Sequence, residues 1–267
     1  MRHILPVHAL LATAALLAAN PAHGRATTSV TLSDFRIELA DLDPSDGVAP
    51  SLTFDPQSFS VAGVMVGSDS SFHGSRGDSA FSPVSASREV DGSGGAAALS
   101  GDPFGAGALI TASAVADHGG GASSGVDVEG PLSLRFPTVF VLGPQSEATF
   151  SGSVVIDWYA SKPQTVINAS AGFGFLQIVD GDQRFLGQDY VSEFYIGFGA
   201  QEGTLSGLVD FSVVNASDAP ITVLYGLGVV ADAGDMQLDP LPVDEPSGAA
   251  LLLAGVPWLL WRARRRR

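Results

Sequence analysis

Residues 148–160, ATFSGSVVIDWYA, begin the part of the chain that decides the fold. Further apolar segments of similar length follow at short intervals, and residues typical of turns separate them. The segments are 148–160, 165–179, 189–199, 203–214 and 220–231, and the separators include 162–163 (KP), 180–182 (DGD) and 215–220. This succession predicts strand after strand joined by tight connections.

The residues before this part continue the pattern less clearly. In the stretch 29–42, Val30 and Leu32 and then Phe35, Ile37 and Leu39 recur at every second position, which predicts a strand with one buried face. Short strands are expected at 51–54 and 58–67. Residues 68–130 are rich in Gly, Ser and Ala, and we expect edge strands and long surface loops there.

The period of the apolar residues also decides the fold class. No segment between the two ends of the chain keeps the 3.6-residue period of a capped helix, so helical crossovers between parallel strands are not expected. The many glycines and the 15 phenylalanines agree with strands and turns. We therefore predict an all-β fold, an antiparallel β-sandwich that is jelly-roll-like and has about ten strands.

The chain begins with a segment that predicts export. Arg2 and His3 precede an apolar run over residues 4–19, and small residues follow near Ala22. This order is typical of a signal peptide, assigned to residues 1–24, and a first transmembrane helix is the alternative. The exported body then covers residues 25–242, enough for one domain.

The composition of this body limits its partners. The chain has 28 acidic and 13 basic residues; removing Asp244, Glu245, Arg2 and the five terminal arginines leaves 26 against 7, a net charge of −19. Such a charge repels nucleic acids and anionic lipids, and it favours cations and basic partners. The absence of cysteine excludes disulfides and thiolate chemistry.

The last 25 residues differ from the body and predict a membrane segment. Residues 248–261 carry no charge, and Trp258 and Trp261 lie where an interfacial aromatic belt is expected. As a helix this run spans about 21 Å against a hydrocarbon core of about 30 Å, so it is a short transmembrane helix. The arginine cluster 262–267 keeps its end in the cytoplasm. Its arginines are Arg262, Arg264, Arg265, Arg266 and Arg267.

In residues 243–267 the chain resembles the PEP-CTERM proteins of Gram-negative bacteria, which combine a Pro-Glu-Pro motif, a hydrophobic helix and a terminal arginine cluster. Here the motif is Asp244-Glu245-Pro246, with Asp244 in place of the family's first proline. The resemblance implies that the chain passes transiently through the inner membrane. A membrane protease of the exosortase type would then remove the tail and release the body to the cell surface or extracellular matrix. An ordinary C-terminal membrane anchor is the alternative.

Two stretches match sequence motifs of enzymes, but neither has the surrounding sequence that its motif requires. Gly121-Ala122-Ser123-Ser124-Gly125 matches the nucleophile elbow, yet it shares Gly121 with the only glycine run (118–121) that resembles an oxyanion loop. The stretch 226–231 matches a dinucleotide pattern but precedes no helix. His73 and His118 are the only histidines of the body, so few side chains could serve as a catalytic base or as zinc ligands. We expect that the protein is not an enzyme.

The turn at 41–47, DLDPSDG, is the one candidate metal site. Asp41, Asp43 and Asp46 crowd three carboxylates between two predicted strands, and calcium prefers such oxygen ligands. The spacing is not that of an EF-hand, and Asp, Pro, Ser and Gly are also ordinary turn formers. We state a calcium site here as a hypothesis.

The predicted function is that of an exported surface or matrix protein linked to exopolysaccharide or biofilm. The alternative is a carbohydrate-binding module or glycan-active enzyme on the same sandwich, because several aromatic side chains could line a sugar-binding face. The alternation of Phe194, Ile196 and Phe198 instead favours a buried face at that strand. The aromatic candidates are Trp158, Tyr159, Tyr190, Phe194, Tyr195 and Phe198.

Overall fold

The computed structural model describes residues 25–67, 69–117, 120–129, 138–161, 165–179, 182–196 and 200–235. The predicted signal peptide (1–24) and tail (243–267) lie outside these residues. All regular structure in the described part is β-strand, which confirms the predicted all-β class, with fourteen strands instead of about ten. The strands are β1 (Arg25–Asp41), β2 (Leu52–Phe54), β3 (Phe59–Val66), β4 (Asp69–Arg76), β5 (Val84–Val90), β6 (Ser93–Asp102), β7 (Gly107–Asp117), β8 (Gly121–Glu129), β9 (Thr138–Leu142), β10 (Ser146–Ala160), β11 (Thr165–Val179), β12 (Asp182–Ile196), β13 (Gln201–Asn215) and β14 (Ile221–Asp235).

The strands form two antiparallel sheets that face each other, as expected for a β-sandwich, and one of them curls into a half-barrel. Sheet 1 has the order β13-β10-β1-β7-β6-β5. Sheet 2 has the order β12-β11-β14-β8-β3-β4, and the short β9 joins it by pairing with the first part of β14 and with β2. Every neighbouring pair on these paths is antiparallel, so short turns can connect many of the strands.

The period-two pattern of the sequence becomes the inner face of the sheets. In β1, Val30 and Leu32 are fully buried and lie opposite Ile156 and Val154 of β10. A bulge after Leu32 shifts the register, and Asp34 takes a positive φ of 52° there. The bulge moves the buried set from even to odd positions, so that Phe35 and Ile37 continue the core.

The structure corrects the prediction of edge strands and long surface loops for residues 68–130. β4 and β5 are edge strands, as expected, but β6, β7 and β8 are interior strands of the two sheets and not surface loops. Their small residues let the sheets approach closely: the Ser124 hydroxyl of sheet 2 donates a 2.8 Å hydrogen bond to the Ser113 carbonyl of sheet 1. A Cβ on Gly95 would lie 3.2 Å from Val64 Cγ1 of the facing sheet. Larger side chains would not fit at these positions.

The two ends of the sandwich are filled differently. Where β7 turns into β8 and β10 leads to β11, the buried side chains are mostly alanines, and we call this the alanine end. The opposite end, near the β13–β14 connection, holds aromatic rings, and we call it the phenylalanine end. The buried alanines are Ala26, Ala114, Ala116, Ala122, Ala160, Ala169, Ala171, Ala231 and Ala233. The buried rings are Phe35, Phe81, Phe140, Phe150, Phe173, Phe175 and Tyr225.

Phe150 and Tyr225 join the two sheets at the phenylalanine end. The Phe150 ring of sheet 1 lies 4.7 Å from that of Phe175 and 5.1 Å from that of Tyr225, centroid to centroid. The Tyr225 hydroxyl is buried and has no hydrogen-bond partner in the described part of the chain. Its burial raises the pKa of Tyr225 well above the ordinary range. Tyr225 therefore contributes as an apolar ring and carries an unsatisfied hydroxyl.

The side of the sandwich formed by β12 and β13 closes through side chains. These two strands follow each other in sequence but belong to different sheets. Asp189 Oδ2 of β12 accepts a 2.7 Å hydrogen bond from the backbone N–H of Asp210 in β13. A Cβ on Gly207 would lie 2.7 Å from Val191, so the valine packs over bare backbone. Contacts of this kind hold the two sheet edges together without a shared ladder.

Candidate functional site

The acidic turn between β1 and β2 uses its carboxylates locally. Asp41 accepts a hydrogen bond from the N–H of Asp43 (2.9 Å), Asp43 from that of Ser45 (3.1 Å), and Asp46 from that of Val48 (2.6 Å). Hydrogen bonds from the side chain and then the backbone of Ser45 hold the pKa of Asp43 below its ordinary value. Each of the three carboxylates thus accepts a hydrogen bond that stabilises a local turn, which explains why aspartate occurs at these positions.

These turns bear on the predicted calcium site. Within the described ranges, no group of three or more His, Cys, Asp or Glu side chains lies in position to hold a metal ion. Asp41, Asp43 and Asp46 each face their own backbone two residues further on. The calcium hypothesis therefore gains no support from the geometry of the turn.

The predicted sorting residues lie outside the described part. These are Asp244, Glu245, Pro246 and the arginines of the cluster 262–267. In the residues that the structure describes, no helix is long and apolar enough to cross a membrane.

The two enzyme-like motifs lie within strands. Gly121–Gly125 forms the first half of β8, which pairs on both sides with β14 and β3. The 226–231 stretch lies in the middle of β14. Neither is the strand-to-helix turn that its motif requires. His73 is exposed on β4, and His118 lies outside the described residues.

The aromatic candidates separate into two groups. Trp158 and Tyr195 point between the sheets and stack on each other with their centroids 4.5 Å apart. Tyr159, Tyr190 and Phe194 point outward, with 39%, 56% and 64% of their surfaces exposed. Phe198 lies outside the described residues.

The second group corrects the prediction of a buried face at β12. Phe194 and Ile196 alternate as expected, but both are on the outer face and are exposed. Alternation at period two shows that two residues share a face without showing which face is buried. The inner positions of β12 are taken by Val191 and Tyr195 together with two acids, Asp189 and Glu193.

The outer face of sheet 2 contains a shallow hollow beside Tyr190. One row crosses four strands in register: Tyr190 lies opposite Gly172, Gly172 opposite Gly228, and Gly228 opposite Asp127. The hollow, which we call the glycine hollow, has a volume of about 240 Å³. It is lined by Ser170, Gly172, Gly174, Gln188, Tyr190, Gly226 and Gly228 together with the backbone of 171 and 173.

The residues at both ends of this row, Tyr190 and Asp127, approach its glycines. A Cβ on Gly172 would overlap the backbone of Asp189 and Tyr190, and one on Gly228 would lie 3.4 Å from Asp127 Oδ1. Four adjacent strands span about 14 Å, so the aromatic ring and the carboxylate stand at opposite sides of an exposed peptide surface. The neighbouring Asn168 donates a 2.8 Å hydrogen bond to Asp232 and adds an amide and a carboxylate to the same face.

This arrangement suits a flat, uncharged, hydroxyl-rich ligand. An exposed aromatic ring offers its face to the apolar side of a ring-shaped ligand, while carboxylates and amides bind hydroxyl groups. Asp127 and Asp232 disfavour anionic polymers on this face. The row formed by Tyr190, Gly172, Gly228 and Asp127 contains no nucleophile next to a base.

The glycine hollow was missed at the sequence level, although a signal exists. Gly172 and Gly174 surround the buried Phe173, and Gly226 and Gly228 surround the buried Leu227. Glycine at every second position of a strand means that one face carries no side chains, which suggests close approach of another molecule or strand. The pairing of the two motifs across β11 and β14 became visible only in the structure.

The chain matches no family model, no curated protein and no solved structure.

Proposed function

We propose that this protein is an exported cell-surface or extracellular-matrix protein with a structural or interaction role linked to exopolysaccharide or biofilm. The observation that carries the proposal is the order of motif, apolar run and arginine cluster in residues 243–267. The acidic composition and the all-β body are consistent with a soluble surface domain. In this proposal the body, residues 25–242, is a jelly-roll-like sandwich without a catalytic role.

The proposed sorting follows from membrane physics. Residues 1–24 direct export, and the short helix 248–261 holds the chain in the inner membrane while the arginines stay in the cytoplasm. A helix of about 21 Å is a weak anchor in a core of about 30 Å, which suits temporary retention. An exosortase-type protease recognises Asp244-Glu245-Pro246 and releases the body.

Replacing Arg264, Arg265, Arg266 and Arg267 with Ser should disturb sorting, because it removes the charge that keeps the C-terminus inside. We expect the wild-type surface protein to lack residues 243–267 by intact mass. The serine variant should retain the tail or fail to reach the surface. Lysine at the same four positions keeps the charge and is the matched control.

This sorting experiment has an outcome that contradicts the proposal. If the wild-type protein at the cell surface still carries residues 243–267, no protease has removed the tail. The segment would then be a simple membrane anchor.

A second candidate function is carbohydrate binding, and the glycine hollow with its exposed Tyr190 favours it. We expect Tyr190→Ala to weaken binding of a neutral polysaccharide about 2- to 12-fold, since an aromatic contact contributes about 0.5–1.5 kcal/mol. Tyr159→Ala removes an exposed tyrosine from sheet 1 and should leave the affinity unchanged. Isothermal titration calorimetry with a panel of neutral glycans measures both.

Two outcomes would remove the second candidate from consideration. One is the absence of binding to every glycan in the panel, and the other is an equal loss of affinity in Tyr190→Ala and Tyr159→Ala. A hydrolysis screen on the same panel separates a binding module from a glycan-active enzyme.

A further inference from the structure

On each side of the sandwich, the edge strands of the two sheets contact each other through side chains and share no ladder. In the described residues, no strand pairs with the outer edge of β12 or β13 on one side, or of β4 or β5 on the other. β12 and β13 have 15 residues each. Natural edge strands are usually short or covered, because their free N–H and C=O groups can pair with another chain. These two long edges are therefore the most favourable places for strand addition.

The topology lets two copies join both of their sheets at once. Six antiparallel strands lead from β12 to β4 in sheet 2, and six lead from β13 to β5 in sheet 1. With an even number of alternating strands, the two edge strands of each sheet run in opposite directions. A second copy placed alongside without being inverted therefore brings β4 antiparallel to β12 and β5 antiparallel to β13. Both contacts have the antiparallel geometry that the rest of each sheet already uses.

Side chains occupy only part of these edges. The N–H of Asp210 donates to Asp189, so this N–H points away from β10, and so do those of Thr204, Ser206 and Leu208, which share its side of the strand. On β5, the Ser75 hydroxyl donates to the Ser85 carbonyl at 2.6 Å and accepts from its N–H at 3.1 Å. Side chains of the same copy thus occupy the outward backbone groups of Asp210 in β13 and Ser85 in β5. The outward N–H groups of Thr204, Ser206 and Leu208 lie on the same edge as that of Asp210.

Charge decides which edges meet. β12 and β13 together carry five carboxylates against the single Arg184, so two copies of this edge would repel each other. β4 and β5 carry Arg76 and Arg88 against two carboxylates and are neutral overall. The acidic edge therefore matches the neutral, arginine-bearing edge better than it matches itself. The acids of the first edge are Asp182, Asp189, Glu193, Glu202 and Asp210.

Apolar side chains accompany the acidic edge. Leu208 is 75% exposed on β13, and further large apolar residues are exposed along both strands. A strand added there would cover part of this surface and gain hydrophobic stabilisation. The exposed residues are Phe185, Tyr190, Phe194, Ile196, Leu208 and Val214.

We propose that copies of this chain assemble side to side, with the β12/β13 edge of one copy on the β4/β5 edge of the next. The contact is heterologous, and the twist of the sheets adds a rotation at each step, so the assembly is an open filament and not a closed dimer. The net charge of the body opposes association, so added salt strengthens the filament. This inference concerns the body alone and holds whether or not the tail is removed.

The test uses the full chain in mild detergent and the variant Ser206→Pro. Proline removes an outward N–H that the native ladder with β10 does not use, and edge positions of this kind tolerate it. Sedimentation velocity over about a hundredfold range of concentration should show growing assemblies for the wild type and for Ser206→Ala. Ser206→Pro should assemble at least about tenfold more weakly, since it loses an intermolecular hydrogen bond and sterically blocks the added strand.

Two results would overturn the filament: a wild type that stays monomeric at every concentration and salt level, and a natively folded Ser206→Pro that assembles like the wild type. If Ser206→Pro does not give the native circular dichroism spectrum, Arg88→Glu replaces it, with Arg88→Lys as its matched control. Arg88→Glu makes the second edge acidic and should assemble more weakly than Arg88→Lys. Equal assembly of these two variants would also overturn the proposed pairing of edges.

Discussion

Phe150→Ala should lower the free energy of unfolding by about 3–5 kcal/mol, the usual cost of deleting a large buried ring. Phe150 of sheet 1 is fully buried and contacts four rings of sheet 2. The centroids of Phe140, Phe173, Phe175 and Tyr225 lie 5.8, 6.1, 4.7 and 5.1 Å from its own. The neighbours are strand residues fixed by their ladders, so the cavity cannot close easily. Chemical denaturation of the variant measures the loss.

Phe185→Ala is the control for this prediction. Phe185 is also a strand phenylalanine, but 60% of its surface is exposed, so we expect a change within about 0.5 kcal/mol. A loss of less than about 1 kcal/mol in Phe150→Ala would contradict a core centred on the phenylalanine end.

The phenylalanine end could be predicted from the sequence in large part. Phe173 and Phe175 recur at period two in β11, and Phe35 and Ile37 do so in β1, and all four are buried. A large apolar side chain at every second position leaves few alternatives to a half-buried strand. What the sequence could not show is that Phe35 follows a bulge, because the change of buried face depends on the pairing with β10 and β7.

The alanine end could not be predicted in the same way. β6, β7 and β8 consist mainly of Ala, Gly, Ser and Val, and their alternation gives almost no contrast in hydrophobicity. Such residues are equally common in surface loops. They become core residues here because the facing sheet is near enough for Ser124 to reach the Ser113 carbonyl, a distance that only the folded chain determines.

The candidate site was predictable only as a set of residues. The sequence marks Tyr190 and Phe194 as aromatic residues that could line a sugar-binding face, whereas the alternation at Phe194 favours a buried face. In the structure they lie on the outer face of the edge strand β12, beside the glycine hollow. No second sheet covers the outer face of a sandwich sheet, so large apolar side chains on that face stay exposed. The missing information was which face of β12 lies towards the other sheet.

The hollow itself leads to the second large effect, the substitution Gly172→Ala. A Cβ at Gly172 would overlap the carbonyl oxygen of Asp189 and the Cα and Cβ of Tyr190 in the paired strand. These are backbone and near-backbone atoms, so no side-chain rotation relieves the overlap, and β12 would have to move away from β11. We expect a loss of about 3 kcal/mol, at the upper end of overpacking effects.

Gly174 provides the matched control for Gly172→Ala, because it lies two residues further along β11 on the same face. A Cβ there would meet its nearest neighbour, the Gln188 Cβ, at an ordinary 3.6 Å. Gly174→Ala should therefore be neutral or stabilise the protein by about 0.5 kcal/mol, since alanine loses less backbone entropy than glycine on folding. Chemical denaturation of both variants gives the comparison. Equal stabilities for the two variants would mean that Tyr190 does not lie against Gly172, and the glycine hollow would lose the border on which the second candidate function depends.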